Sequence, residues 1–216
     1  RYEPEQETES PAFCYFVQKD SGDDPDVTNG TKVFARVRQA DKSEFETLCR
    51  TGAGYYLEEY PKLYLNGGQG IGMVTKPGLS CPVGHYAINP VPRSMILGAV
   101  ADVVQTAAFE EYLIVTIWIP EGEHLALQTF NPKLGIQGGI SVLGTTGIVK
   151  PMSEEALLET IRLEIHMKAV NGAKVLLMAP GNYGEEFLKK ELGVPMGSAV
   201  LCSNFVKEAV LMAEME

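Results

Sequence analysis

Nowhere in its 216 residues does the chain reach the 18 or so consecutive apolar positions that a membrane-spanning helix requires, and no signal-peptide pattern opens it. The expected location is cytoplasmic. Cysteine is scarce: Cys14, Cys49, Cys81 and Cys202 stand alone without a CxxC pair, which favours reduced structural thiols over disulfides or a metal site. Histidine is scarcer, and His85, His124 and His166 share no ligand spacing, so no metal is expected. Positive charge is in deficit, with 18 Lys and Arg against 28 Asp and Glu and a net charge of −10. That argues against a nucleic-acid partner, which needs clustered cations to displace counterions. The GxSxG, HExxH and P-loop signatures, and a GxGxxG following a strand, are all missing.

What remains is 45% apolar, enough to bury roughly 70% of the unfolded chain's surface. Phe13–Val17 and Lys32–Arg38 alternate and flank a turn-rich connector at 21–30, so they read as paired strands. A second pair is expected around Tyr64-Leu65 and Gly72–Thr75, turning at Asn66-Gly67-Gly68. Gly68–Gly72 reads as a tight hairpin rather than a nucleotide loop. Residues 75–92 read as a long, ordered proline- and glycine-rich loop, and Pro92 opens a helix to about Phe109. Leu113–Ile119 is a buried central strand, ended by Pro120, and a short helix is placed within 122–130.

Ser153 is expected to cap a helix to about Val170, with Glu154 and Glu155 in its first turn and Leu157, Leu158, Ile161 and Ile165 as its buried stripe. Strands at 175–179 and 199–202 alternate with helices at 185–192 and 205–215, the latter burying Val206, Ala209, Val210 and Ala213. Such alternation marks a parallel α/β unit. The expected organisation is thus an α+β domain over 1–150 and the start of an α/β domain over 151–216. Residues 1–11 read as a trimmed or poorly ordered segment, and the α/β unit is expected to continue past Glu216, because two parallel strands cannot cover both their faces.

Four tracts can carry chemistry. Asp20–Asp26 gathers carboxylates around one proline, as a cation or proton site or simply an Asx-turn. Thr75–Gly78 and Asn89–Arg93 set Lys76 and Arg93 beside proline-fixed backbone. Arg93 falls in a first helical turn, where it opposes the helix dipole, as a pocket for a carboxylate ligand or an ordinary surface residue. Gly138–Gly147 combines glycines and hydroxyls, for close approach to a ligand or for tight packing. Pro180–Gly184 is a strand-to-helix turn, a place where open α/β sheets bind ligands.

Gly-Asp-Asp-Pro-Asp-Val-Thr (22–28), Val-Thr-Lys-Pro-Gly-Leu (74–79) and Ala-Ile-Asn-Pro-Val-Pro-Arg (87–93) follow one another. Thr-Phe-Asn-Pro-Lys-Leu-Gly-Ile (129–136), Gly-Gly-Ile-Ser-Val-Leu-Gly-Thr-Thr-Gly-Ile-Val (138–149) and Pro-Met-Ser-Glu-Glu-Ala (151–156) come after them. In this order the six resemble the CbiD family over about residues 13–205. Two family stretches are absent: an N-terminal Thr-Gly-Tyr-Thr-Thr-Gly type and a C-terminal Gly-His-x-Gly-Lys type. The resemblance implies methyl transfer from S-adenosylmethionine to ring carbon 1 of cobalt-precorrin-5B, giving cobalt-precorrin-6A in anaerobic cobalamin synthesis. It also implies that the second domain is Rossmann-like.

Such a reaction needs alignment and exclusion of water rather than a covalent nucleophile. On this basis Lys76, Asn89, Arg93, Asn131 and Lys133 are the candidates for the substrate's carboxylates. Gly181, Asn182 and Gly184 are first choice for the methyl donor, with Gly144, Thr145 and Thr146 second. Asp23, Asp24 and Asp26 are the candidate proton acceptors. Homo-oligomerisation is left open. A non-catalytic carrier of corrinoid intermediates is the alternative, and an ATP-using enzyme built on Gly144–Gly147 is a third.

Overall fold

A computed structural model describes residues 12–22, 26–144, 154–191, 193 and 199–216. The chain divides into two compact units, Arg1–Thr75 with Ser80–Val149, and Lys76–Leu79 with Lys150–Glu216.

The first unit contains, in chain order, β1 (Ala12–Gln18), β2 (Lys32–Ala40), α1 (Lys42–Thr51), β3 (Tyr55–Tyr56), β4 (Leu63–Gly67), β5 (Gly70–Ile71) and β6 (Met73–Val74). Then come α2 (Pro90–Thr106), β7 (Tyr112–Trp118), α3 (Gly122–Ala126), β8 (Ile136–Gln137) and β9 (Gly139–Ile140). Five strands form a mixed sheet in the order β1-β2-β7-β4-β3. β1 and β2 make the expected antiparallel hairpin, with Ala12 opposite Arg38 and Gln18 opposite Lys32. The β-branched run becomes β7, which lies antiparallel to β2 and parallel to β4 and is buried from Leu113 to Ile117. Leu65, Val115 and Ile117 on one face pack with Leu97 of α2. On the other, Tyr64 and Ile114 receive Phe45 of α1.

The sequence reading assigns no element to α1, although its capping signal was present. Asp41 accepts from the Glu44 N–H at 2.9 Å, and acidic Glu44 follows it at the spacing of a capping pair. The expected second hairpin does not form. β4 enters the five-stranded sheet, while β5 pairs parallel with β9 and β6 antiparallel with β8. Leu63, Tyr64 and Leu65 are each 3% exposed or less, and a strand apolar on both faces gains more inside a sheet than in a two-stranded ribbon. The 75–92 loop is ordered, as expected, with bridges at Tyr86 and Ile88. α2 starts at Pro90, before the expected position, because Pro90 and Pro92 both sit in a first turn that needs no N–H from them.

The second unit contains α4 (Glu154–Val170), β10 (Leu177–Ala179), α5 (Asn182–Lys190), β11 (Ala199–Leu201) and α6 (Val206–Glu214). β10 and β11 pair in parallel, and Ile161, Ile165, Val200, Cys202 and Ala209 form the core. Two stripe assignments are corrected. Leu157 is half-exposed, one residue round the helix from half-buried Leu158. On α6 the inner face is Phe205, Ala209, Met212 and Ala213, so Val206 and Val210 turn about 100° away and are half-exposed. Ser153 lies outside the described residues. All four cysteines are free. Among the described residues no helix is long and apolar enough to cross a membrane, and no group of three His, Cys, Asp or Glu could hold a metal.

Candidate functional site

Four of the motif tracts meet in one irregular strand module. The backbone at 70–75 runs between 84–88 and 135–140. The Gly72 N–H donates to Ile140 O at 2.9 Å, Ala87 N–H to Gly72 O at 2.7 Å, and Thr75 N–H to Gly135 O at 2.8 Å. Asn89 N–H donates to Val142 O at 2.9 Å, and Val142 N–H to Ala87 O at 2.7 Å. The start of α2 is thereby stitched to the segment that follows β9. Glycine is required at the crossing: a Cβ on Gly139 would lie 2.2 Å from Gly70 O, and one on Gly122 2.1 Å from the same oxygen. Tight packing therefore accounts for Gly139. Gly144, with φ +140° and nothing near a would-be Cβ, stays open.

Arg93 stands in the first turn of α2, beside this stitch. Its guanidinium lies 3.6 Å over the Tyr55 ring, Nε donates to Ile88 O at 2.5 Å, and Nη2 donates to Cys81 Sγ at 3.3 Å. The Cys81 thiol is buried between Ile88 O at 3.3 Å and Asn89 Oδ1 at 3.5 Å. The Tyr55 hydroxyl donates to Tyr86 O at 2.5 Å. Burial, then the neighbouring Cys81, push that phenol well above its usual pKa, and the Arg93 charge offsets them only in part. Tyr55 therefore stays protonated and serves as a platform, not a base. Arg93 has no carboxylate partner among the described residues, and Nη1 carries no protein hydrogen bond there. Few exposed N–H groups help it. Residues 90 and 92 are proline, and the Arg93 N–H bonds to Asn89 O at 3.1 Å, which leaves Val91 as the donor of that turn. Neither Tyr55 nor Cys81 was flagged in the sequence; a lone tyrosine and a lone cysteine have no spacing to Arg93 that could reveal a stack.

The other candidates are dispersed. Asn131 is buried and accepts from Ser141 Oγ at 3.2 Å, which ties the 129–136 turn to the residue after β9. Lys133 sits with Nζ 5.4 Å from the Phe130 ring. Lys76 groups with the second unit, where neighbouring Pro77 O accepts from Asn171 Nδ2 at 3.3 Å and Gly78 packs on Met167. In the same unit Gly181 is the N-cap of α5, with φ +112° and open space around it. Gly184 instead packs against Ala179 and Pro180. Asp23, Asp24, Thr145 and Thr146 lie outside the described residues, as does the side chain of Asn182.

Asp26 belongs to the turn. Its carboxylate pairs with Lys19 and accepts from the Thr28 N–H and hydroxyl, both at 2.8 Å. Burial raises its pKa, but the Lys19 and Thr28 hydrogen bonds and the Lys19 charge together outweigh that, and the net shift is downward from 3.8. A carboxylate held this way is a poor proton acceptor. A group with a depressed folded pKa stabilises above its unfolded pKa and loses that contribution as pH falls through the folded value. Asp26→Asn should therefore cost about 1–2 kcal/mol at pH 7 and almost nothing near pH 2, measured by urea unfolding at the two pH values.

A cavity of about 450 Å³ opens at α1's C-terminal end. Arg50, Gly52, Gly54, Tyr55, Tyr64 and His85 are among its walls, so Tyr55 belongs both to it and to the Arg93 stack.

Fold and site together define a mixed α/β protein with several small sheets and an arginine held on a tyrosine ring without a carboxylate partner among the described residues. The CbiD family model matches residues 3–151, and the chain belongs to that family. It is 45% identical over 194 residues to the cobalt-precorrin-5B C(1)-methyltransferase of Ruminiclostridium cellulolyticum, covering 90% of this chain and 46% of that one. It is 46% identical over 190 residues to the protein of the same name from Desulfitobacterium hafniense, covering 88% and 44%. The chain thus spans a little under half the length of these relatives. A crystal structure of a cobalamin biosynthesis protein, cbiD, from Archaeoglobus fulgidus aligns with a TM-score of 0.47 at 23% identity, over 92% of this chain and 57% of that one.

Proposed function

We propose that this chain is part of an enzyme that methylates carbon 1 of cobalt-precorrin-5B, with S-adenosylmethionine as donor, giving cobalt-precorrin-6A. The observation that carries the reading is Arg93. In a chain of net charge −10 it is held rigidly against Tyr55, Ile88 O and Cys81 without a carboxylate partner among the described residues. A ligand rich in acetate and propionate arms supplies what that guanidinium lacks. The names of the relatives point to the same substrate.

The donor's sulfonium supplies the methyl group as an electrophile. The electron-rich ring carbon accepts it directly, so the chain has to bind, orient and exclude water. Arg93 and Asn89 bind an acid arm, with Lys133 as a further cation of the first unit; Lys76 is the candidate cation of the second. The open, left-handed Gly181 at the carboxyl end of β10 is the favoured approach for the donor, and Gly144 is the second choice. The parallel β10 and β11, with α5 between them in sequence, support a Rossmann-like second domain over 151–216 following an α+β domain over 1–150.

Calorimetric titration of the full-length protein with S-adenosylmethionine separates this from a corrinoid carrier. Saturable one-site binding is expected; no heat under conditions where the tetrapyrrole binds would favour the carrier.

A further inference from the structure

Arg38 pairs with Glu44 and Arg162 with Glu159, but Arg50, like Arg93, has no carboxylate partner among the described residues. Both stand beside Tyr55: Arg93 over its ring, Arg50 around the cavity that Tyr55 helps to wall. Nε of Arg50 donates to Glu46 O at 3.3 Å within its own helix, which leaves both Nη atoms for another acceptor. Among the described residues no Asp or Glu lines the cavity, although the chain carries 28 of them. Its ionisable neighbours are Arg50, His85, Cys49 and tyrosines, and the His85 ring packs 5.6 Å from that of Tyr55. Burial first, then Glu46, push the Cys49 thiol upward, so it stays neutral and adds no negative charge.

Part of the wall is rigid. Tyr64 is 1% exposed, and its hydroxyl accepts the Gly54 N–H at 2.8 Å. A Cβ at Gly52 would come within 2.1 Å of that hydroxyl, and one at Gly54 within 2.2 Å of Leu65 O. At about 450 Å³ the space exceeds what a lone ion needs, and suits a carboxylate with its carbon arm and a ring edge.

We infer that this cavity is a second carboxylate pocket, in which Arg50 takes one acid arm of a ligand whose other arm goes to Arg93. The inference rests on the polyacid reading above, and two probes keep the two separable. Succinate titrated into the full-length protein, followed by the NMR shifts of the His85 ring, should give a saturable change. Arg50→Gln should weaken it at least tenfold, and Arg50→Lys should restore part of the affinity. No shift at His85, or an unchanged affinity in Arg50→Gln, overturns the pocket. Cobalt uroporphyrin, with eight carboxylates, is titrated separately by absorbance. If it fails to bind while succinate binds at His85, the pocket stands and the polyacid reading falls. If it binds with Arg93 dependence but is indifferent to Arg50→Gln, the reading stands and the pocket falls.

Discussion

Arg93→Ala is expected to weaken binding of the tetrapyrrole substrate about 10- to 100-fold, with the fold intact. Hydrogen bonds to a charged partner contribute about 1.5–3 kcal/mol, and a two-pronged guanidinium–carboxylate contact lies in that range. The loss should appear in the dissociation constant, measured by absorbance titration of the full-length protein. Structural damage is limited because Ile88 O keeps its contact with the Cys81 thiol. The loss of the cation over Tyr55 costs about 0.5–2 kcal/mol. Arg93→Lys should not rescue binding. An ammonium cannot lie flat on Tyr55 while donating sideways to Ile88 O and outward to a ligand. Full binding in Arg93→Lys would show that charge alone is used, and full binding in Arg93→Ala would remove Arg93 from the site.

Gly70→Ala should be the most damaging single methyl addition in the first unit, costing more than about 3 kcal/mol and leaving little soluble protein. A Cβ there would lie 1.8 Å from Ile119 O, and both the Gly122 and Gly139 backbones already press on the Gly70 carbonyl. Nothing soft can move aside, since each neighbour is backbone. Gly70 also has φ +74°, which adds the left-handed penalty of about 1–2 kcal/mol. Gly84→Ala isolates that second effect, because Gly84 has φ +82° but open space around its missing Cβ. It should cost only about 1–2 kcal/mol in thermal or urea unfolding. Equal losses in the two variants would mean that the glycine crossing relaxes easily.

Local signals served well where the deciding partners lay within a few residues. The β1–β2 alternation, the unbroken run of β7, the prolines opening α2 and the glycine-bounded turn before α5 all carry their own periodicity or cap. The Asx-turn alternative for Asp26 was also visible, since Thr28 is two residues away. The capping pair at Asp41 and Glu44, which opens α1, is equally local.

By itself the sequence determined the element types, the net charge against which any anionic ligand must bind, and the ordered motifs that place the chain in its family. Tertiary structure alone decided that β5 and β6 leave β4 for partners near residue 140, that Tyr55 and Cys81 grip Arg93, and that Asn131 is consumed by Ser141. Caps and periodicities act over one or two turns of chain. A stack between residues 55 and 93 depends on which surfaces are buried together, and that is settled only when the whole core packs.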